Sequence, residues 1–185
     1  MPTALRLLCA PVMLLTTVSP SQTRAQEPKV SERAMAPLRA ARLTRSDAVF
    51  RQLTSVVGDW EGIQDGVPIK VTYTLLANGT ALMEHVKPGD SSPMITMFTV
   101  DGDRLIATHY CVTGNQPQMV AGAPVDLHKG VAFSLAQITG MKTPEDWHNT
   151  GVTITLDDKD HMTQRWTYLY KGKAGTTVFH YVRKT

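Results

Sequence analysis

The chain has 185 residues, the length of one ordinary domain. Its 19 Lys and Arg against 16 Asp and Glu give a formal charge of +3, too even a balance for a nucleic-acid footprint. Of its two cysteines, Cys9 and Cys111, only Cys111 is expected to remain after export, which leaves no internal disulfide in the mature chain.

The first segment, MPTALRLLCAPVMLLTTVSP, carries Arg6 ahead of an apolar run, and TRAQ at 23–26 places small residues at cleavage spacing. This is the pattern of a secretory signal peptide over residues 1–25. The apolar run is broken by Pro11 and falls short of the roughly 20 residues that a membrane span needs. Cys9 comes too early in it for a lipoprotein signal. Cleavage after Ala25 removes Arg6 and Arg24 and no acidic residue, lowering the formal +3 by two, to +1. The mature protein is therefore expected in the periplasm or secreted, with no integral membrane association and no nucleic-acid partner. Residues 26–45, largely PKVSERAMAPLRAARLTR, read as a flexible basic arm, a solvated linker in the first reading and a contact to an anionic surface in the second.

SDAVFRQLTSVVGDW then opens with a Ser/Asp cap signal and spaces Val49, Leu53, Val56 and Val57 near helical period. The spacing predicts a short helix over 46–56, leading into a strand at 59–64. Strands follow at about 69–76, 80–87, 93–100, 104–112, 118–124, 130–137, 151–156, 161–170 and 176–183, with NGT, DGD and DDKD as turns between some of them. Residues 138–150 read as a loop. About ten strands without helical alternation must pack two faces or close on themselves, and closure removes exposed edges. The expected fold is all-β, an antiparallel up-and-down barrel over 46–185 with an N-terminal helix; a sandwich is the alternative.

Turns also assign faces. A two-residue loop at Asn78-Gly79 pairs Leu75 with Leu82, Tyr73 with Glu84 and Val71 with Val86, so Glu84 points inward among apolar residues and His85 outward. Such a carboxyl needs a partner or a raised pKa. At Asp101-Gly102 the same reasoning pairs Phe98 with Leu105, Thr96 with Ala107 and Met94 with His109. His109 and Cys111 then face inward and Tyr110 outward. At DDKD, Leu156 opposes His161, which turns His161 and Arg165 inward, against a competing apolar face of Met162, Trp166 and Tyr168. A one-residue slip reverses every face.

GDWEG at 58–62, with a helix before it and antiparallel strands after it, resembles the Gly-x-Trp start of lipocalin and fatty-acid-binding barrels. The resemblance implies that Trp60 closes one end of a barrel. Residues 46–183 also resemble bacterial lipocalin-like proteins of unassigned function, on GDWEG, Met97, DGDRL at 101–105 and THYCVTGNQP at 108–117. That likeness implies a fold and no particular reaction.

The expected interior is apolar with a few polar groups, which suits a small, mainly apolar or amphipathic ligand. Glu84, His109, Cys111, His161 and Arg165 are its candidate contacts, joined by Asn115 and Gln116 at the rim. No resident cofactor is expected. Three other readings use the same residues. His109 and Cys111, with His161 or Glu84, are plausible zinc ligands, and any of the six histidines could ligate a haem. Cys111 as nucleophile beside His109, or Glu84 with His109 in proton transfer, would make a small barrel enzyme. A Glu–Arg or Glu–His pair satisfied inside a filled core would make a structural or protein-binding module. Cys111 itself reads most simply as a buried small hydrophobe. GNQP at 114–117 reads as a strand end and turn.

Overall fold

The structure is a computed structural model and describes residues 45–122 and 126–185. The expected signal peptide and, apart from Arg45, the arm 26–45 lie outside the described residues.

Helix α1 (Arg45–Leu53) and a 3-10 turn (Thr54–Val56) open the described part. Val49, Phe50, Leu53 and Val56 recur at helical spacing and are all buried. Ten strands follow: β1 (Gly58–Gln64), β2 (Val67–Leu76), β3 (Ala81–Pro88), β4 (Met94–Asp101), β5 (Arg104–Tyr110), β6 (Gln116–Ala121), β7 (Val131–Thr139), β8 (His148–Leu156), β9 (His161–Tyr170) and β10 (Lys173–Arg183). Each pairs antiparallel with the next, and β10 returns to β1, so the sheet is a closed barrel. The expected up-and-down barrel is the observed fold, and the sandwich is ruled out. Among the described residues no helix is long and apolar enough to cross a membrane.

One end is plugged. The Trp60 indole donates to the Val56 carbonyl at 2.7 Å and is 1 % exposed. The Arg183 guanidinium lies 4.1 Å from the centre of its ring and donates to the carbonyls of Ser55, Val57 and Lys159. Behind this plug Leu82, Phe98, Met119, Phe133, Ile154 and Met162 fill the barrel. Packing of that kind leaves no room for a ligand in this half.

Three registers decide which side chains enter. At the first hairpin Leu75 pairs with Leu82, Tyr73 with Glu84 and Val71 with Val86, as expected, and Glu84 is 0 % exposed. Leu75 departs from its expected interior place: it lies beside the turn and is exposed. At the second hairpin the pairing is Asp101 with Arg104, Phe98 with Ala107 and Thr96 with His109. The expected register is two residues off, which keeps every face, and His109 is inside.

At the third hairpin the difference is one residue. Leu156 pairs with Met162 because Asp157–His161 form a longer turn, in which the Asp157 and Asp158 amides both bond to the His161 carbonyl. The slip turns His161 and Arg165 outward and brings Met162, Gln164 and Trp166 inside. A fourth device is a bulge in β8. Asn149 pairs with Tyr168 and Gly151 with Thr167, so Thr150 is the extra residue. The bulge puts Asn149 on the inner side with Val152, which simple alternation would not do.

Candidate functional site

The half of the barrel away from Trp60 is not filled. A cavity of about 100 Å³ lies where β9 ends and β8 and β10 begin. Its walls are Val86 and Met94 from β3 and β4, His109 from β5, Asn149 from β8, Gln164, Trp166 and Tyr168 from β9, and Thr177, Phe179 and Tyr181 from β10. Trp147 reaches in from the β7–β8 loop.

Aromatic rings make most of this wall, in three pairs: Trp147 on Tyr168 at 5.5 Å, Phe179 on Tyr181 at 5.9 Å, and His109 against Trp166 at 5.0 Å between centroids. Tyr168 is held by Gly175, its partner on β10, where a Cβ would overlap the ring. Trp147 is held from the rim, because the Asn115 amide donates to its carbonyl at 2.7 Å.

A polar row runs beneath the cavity. Tyr73, Glu84, Thr96 and His109 are directly opposed in sequence from β2 to β5, each on the inner face. Gln164 crosses from β9 to join them: its Nε2 donates to Glu84 Oε1 at 2.8 Å and to the Tyr73 hydroxyl at 2.6 Å. Its Oε1 accepts from the Trp166 indole at 2.8 Å, which fixes the amide's orientation. Glu84 Oε2 has no hydrogen-bond partner among the described residues. Burial pushes the Glu84 carboxyl up to about 7, against the opposing pull of Gln164, Thr96 and Tyr73. Burial also raises the Tyr73 and Tyr181 phenols, and the Glu84 charge adds to both shifts. His109 Nδ1 is 3.0 Å from the Thr96 hydroxyl, and burial pushes its ring down to about 4, so it is neutral at pH 7.

The expected contacts divide accordingly. His109 lines the cavity, and Glu84 stands behind Gln164 rather than in the wall. Asn115 is buried under the rim, where it also donates to Thr113. Its Oδ1 has no partner among the described residues. Gln116 ties Gly114 and Thr139 together at the end of the sheet. Cys111 is not an inward strand residue. β5 ends at Tyr110, and Cys111 begins the turn closed by its own amide to the Asn115 carbonyl, half-buried beside the Thr113 hydroxyl. Tyr110 points outward as expected. His161 and Arg165 are on the outer wall, and His161 is engaged by Asp158.

Sequence reasoning did not single out Gln164, Asn149, Thr177 or Phe179. The alternation Met162, Gln164, Trp166, Tyr168 was the available signal for the first. Asn149 depends on a bulge that no turn residue announces. His109, Cys111, His161 and Glu84 do not converge, and among the described residues no group of three His, Cys, Asp or Glu side chains is placed to hold a metal ion. Direct Cys111–His109 chemistry also lacks its geometry, since Cys111 sits in the rim turn and His109 bonds to Thr96.

Among solved structures, one match is the crystal structure of a protein of unknown function from the DUF3598 family of Nostoc punctiforme, with a TM-score of 0.40 and 13% identity. The match covers 72% of this chain and 49% of that one, so the chain spans about half the length of that protein. No family model matches the sequence, and no curated protein does.

Proposed function

We propose that this protein is an exported binding protein that takes a small, mainly apolar molecule into the unfilled half of the barrel. The observation that carries the reading is the aromatic cavity with a buried, hydrogen-bonded polar row at its base. Its size bounds the ligand. About 100 Å³ is below the roughly 300 Å³ at which pockets for drug-sized ligands begin, and nearer the ~150 Å³ of an engineered cavity that accepts benzene. The part of the ligand held inside is therefore one ring or a short branched chain; a larger molecule would leave the remainder outside the barrel. Gln164, His109 and Asn149 are the polar walls that would orient it, with Glu84 holding Gln164 in place. The pattern at residues 1–26 supports export.

Native mass spectrometry of the protein purified from its own host tests both parts. The expected spectrum shows one small molecule per chain, released on denaturation, on a polypeptide that begins at Gln26. A chain that begins at Met1 would contradict export. A bare chain whose tryptophan fluorescence also ignores added benzyl alcohol would remove the binding reading.

A further inference from the structure

The charge character of the cavity narrows the ligand class, on the reading that the cavity is a binding site. We propose that the ligand presents a small organic cation, an amine or ammonium group on a ring-sized apolar body.

Two features of the walls and one of the row behind them point the same way. The three aromatic pairs surround the space with π-systems, whose faces attract cations and repel anions. Among the described residues no Lys or Arg lines the wall, so a carboxylate ligand would find no counter-charge from them. The wholly buried carboxyl of Glu84 stands directly behind Gln164 with Oε2 unpartnered among the described residues. A bound cation would supply the opposite charge that this group lacks. Its field reaches the wall, since the Tyr181 phenol, which lines the cavity, is raised in part by the Glu84 charge. In a low-dielectric interior such a charge acts strongly over a few ångströms.

The groups around Glu84 do not offset it. Tyr73 faces it from β2, Thr96 from β4, Gln164 from β9 and Tyr181 from β10, with His109 beyond Thr96 on β5. All are uncharged near neutral pH, His109 because burial holds it at about 4. Lys142, Lys171, Lys173, Glu145 and Asp146, on the neighbouring turns, are in or near solvent, where salt screens charges over about 8 Å.

The test uses three probes of nearly one shape, benzylammonium, benzyl alcohol and benzoate, titrated into the mature protein at pH 8 by calorimetry. Benzylammonium is expected to bind about tenfold more tightly than the alcohol, with benzoate weakest. Glu84→Gln should cost the ammonium about tenfold more than it costs the alcohol, whose own loss reports only the weakened hold on Gln164. Should that variant fail to fold, the wild-type protein supplies the same contrast. Ammonium affinity should rise from pH 5 through about 7, where Glu84 is half ionised, and level off near about 8, while alcohol affinity stays flat. An alcohol that binds as well as the ammonium, or an ammonium affinity indifferent to both Glu84→Gln and pH, overturns the cation and leaves the cavity reading standing. Binding by none of the three overturns both.

Discussion

Glu84 and His109 are shifted by one cause in opposite directions, and this has a consequence for stability. Glu84 rises from an ordinary value of 4.5 to about 7, so between those values the folded state holds a proton that the unfolded state has lost. Its contribution therefore falls as pH rises from 4.5 to 7. His109 drops from 6.5 to about 4, so over that range the unfolded state holds the extra proton and stability rises with pH. Each shift corresponds to roughly 3 kcal/mol, and between 4.5 and 6.5 the two slopes cancel. Removing one should reveal the other. Relative to wild type, Glu84→Gln should gain stability with rising pH across 4.5–7, and His109→Phe should lose it as pH falls less steeply, its deficit growing from pH 4 to 6.5. Urea midpoints taken every half pH unit would show this, and variants that track the wild-type profile would mean that the two groups are not desolvated as described. The inward place of Glu84 was legible, because Asn78-Gly79 set the pairing of β2 with β3. The neutral state of His109 was not, since it depends on burial by walls from β9 and β10 that no local pattern joins to β5.

At the scale of elements, the closed end depends on Arg183 as much as on Trp60. Arg183 satisfies three carbonyls, of Ser55, Val57 and Lys159, and covers the indole face. Arg183→Ala is expected to cost about 2 kcal/mol, less than the sum of its bonds because the side chain is 22 % exposed. The urea midpoint should fall with an unchanged slope, while affinity for benzyl alcohol at the other end stays the same. A midpoint equal to wild type would show that the plug holds without it. Trp60 was readable from GDWEG, but its arginine, more than a hundred residues away, was not. Strand β9 shows the complementary lesson. Its span was legible to the residue, yet one additional residue in the Asp157–His161 turn exchanged its faces. His161 and Arg165 thereby left the candidate interior, and Gln164 and Trp166 entered it.

For the whole molecule, ten strands and a preceding helix follow from turn spacing and alternation, and the closed barrel follows from them. Whether the barrel is hollow does not, because it depends on the summed volumes of side chains from all around the ring. Here the large residues are unevenly spread. Phe98, Phe133, Leu82 and Met162 fill the half next to α1, while the other half leaves a space between flat rings. The three tryptophans report on this division: Trp60 lies in the plug, and Trp147 and Trp166 line the cavity. Their indole N–H signals in a proton–nitrogen correlation spectrum, followed during titration with benzyl alcohol, therefore test most directly whether one half is a binding site. The expected result is a saturable shift of the Trp147 and Trp166 signals with Trp60 unmoved. No shift at saturating probe, or one in which Trp60 moves equally, would contradict a ligand site at the open half of the barrel.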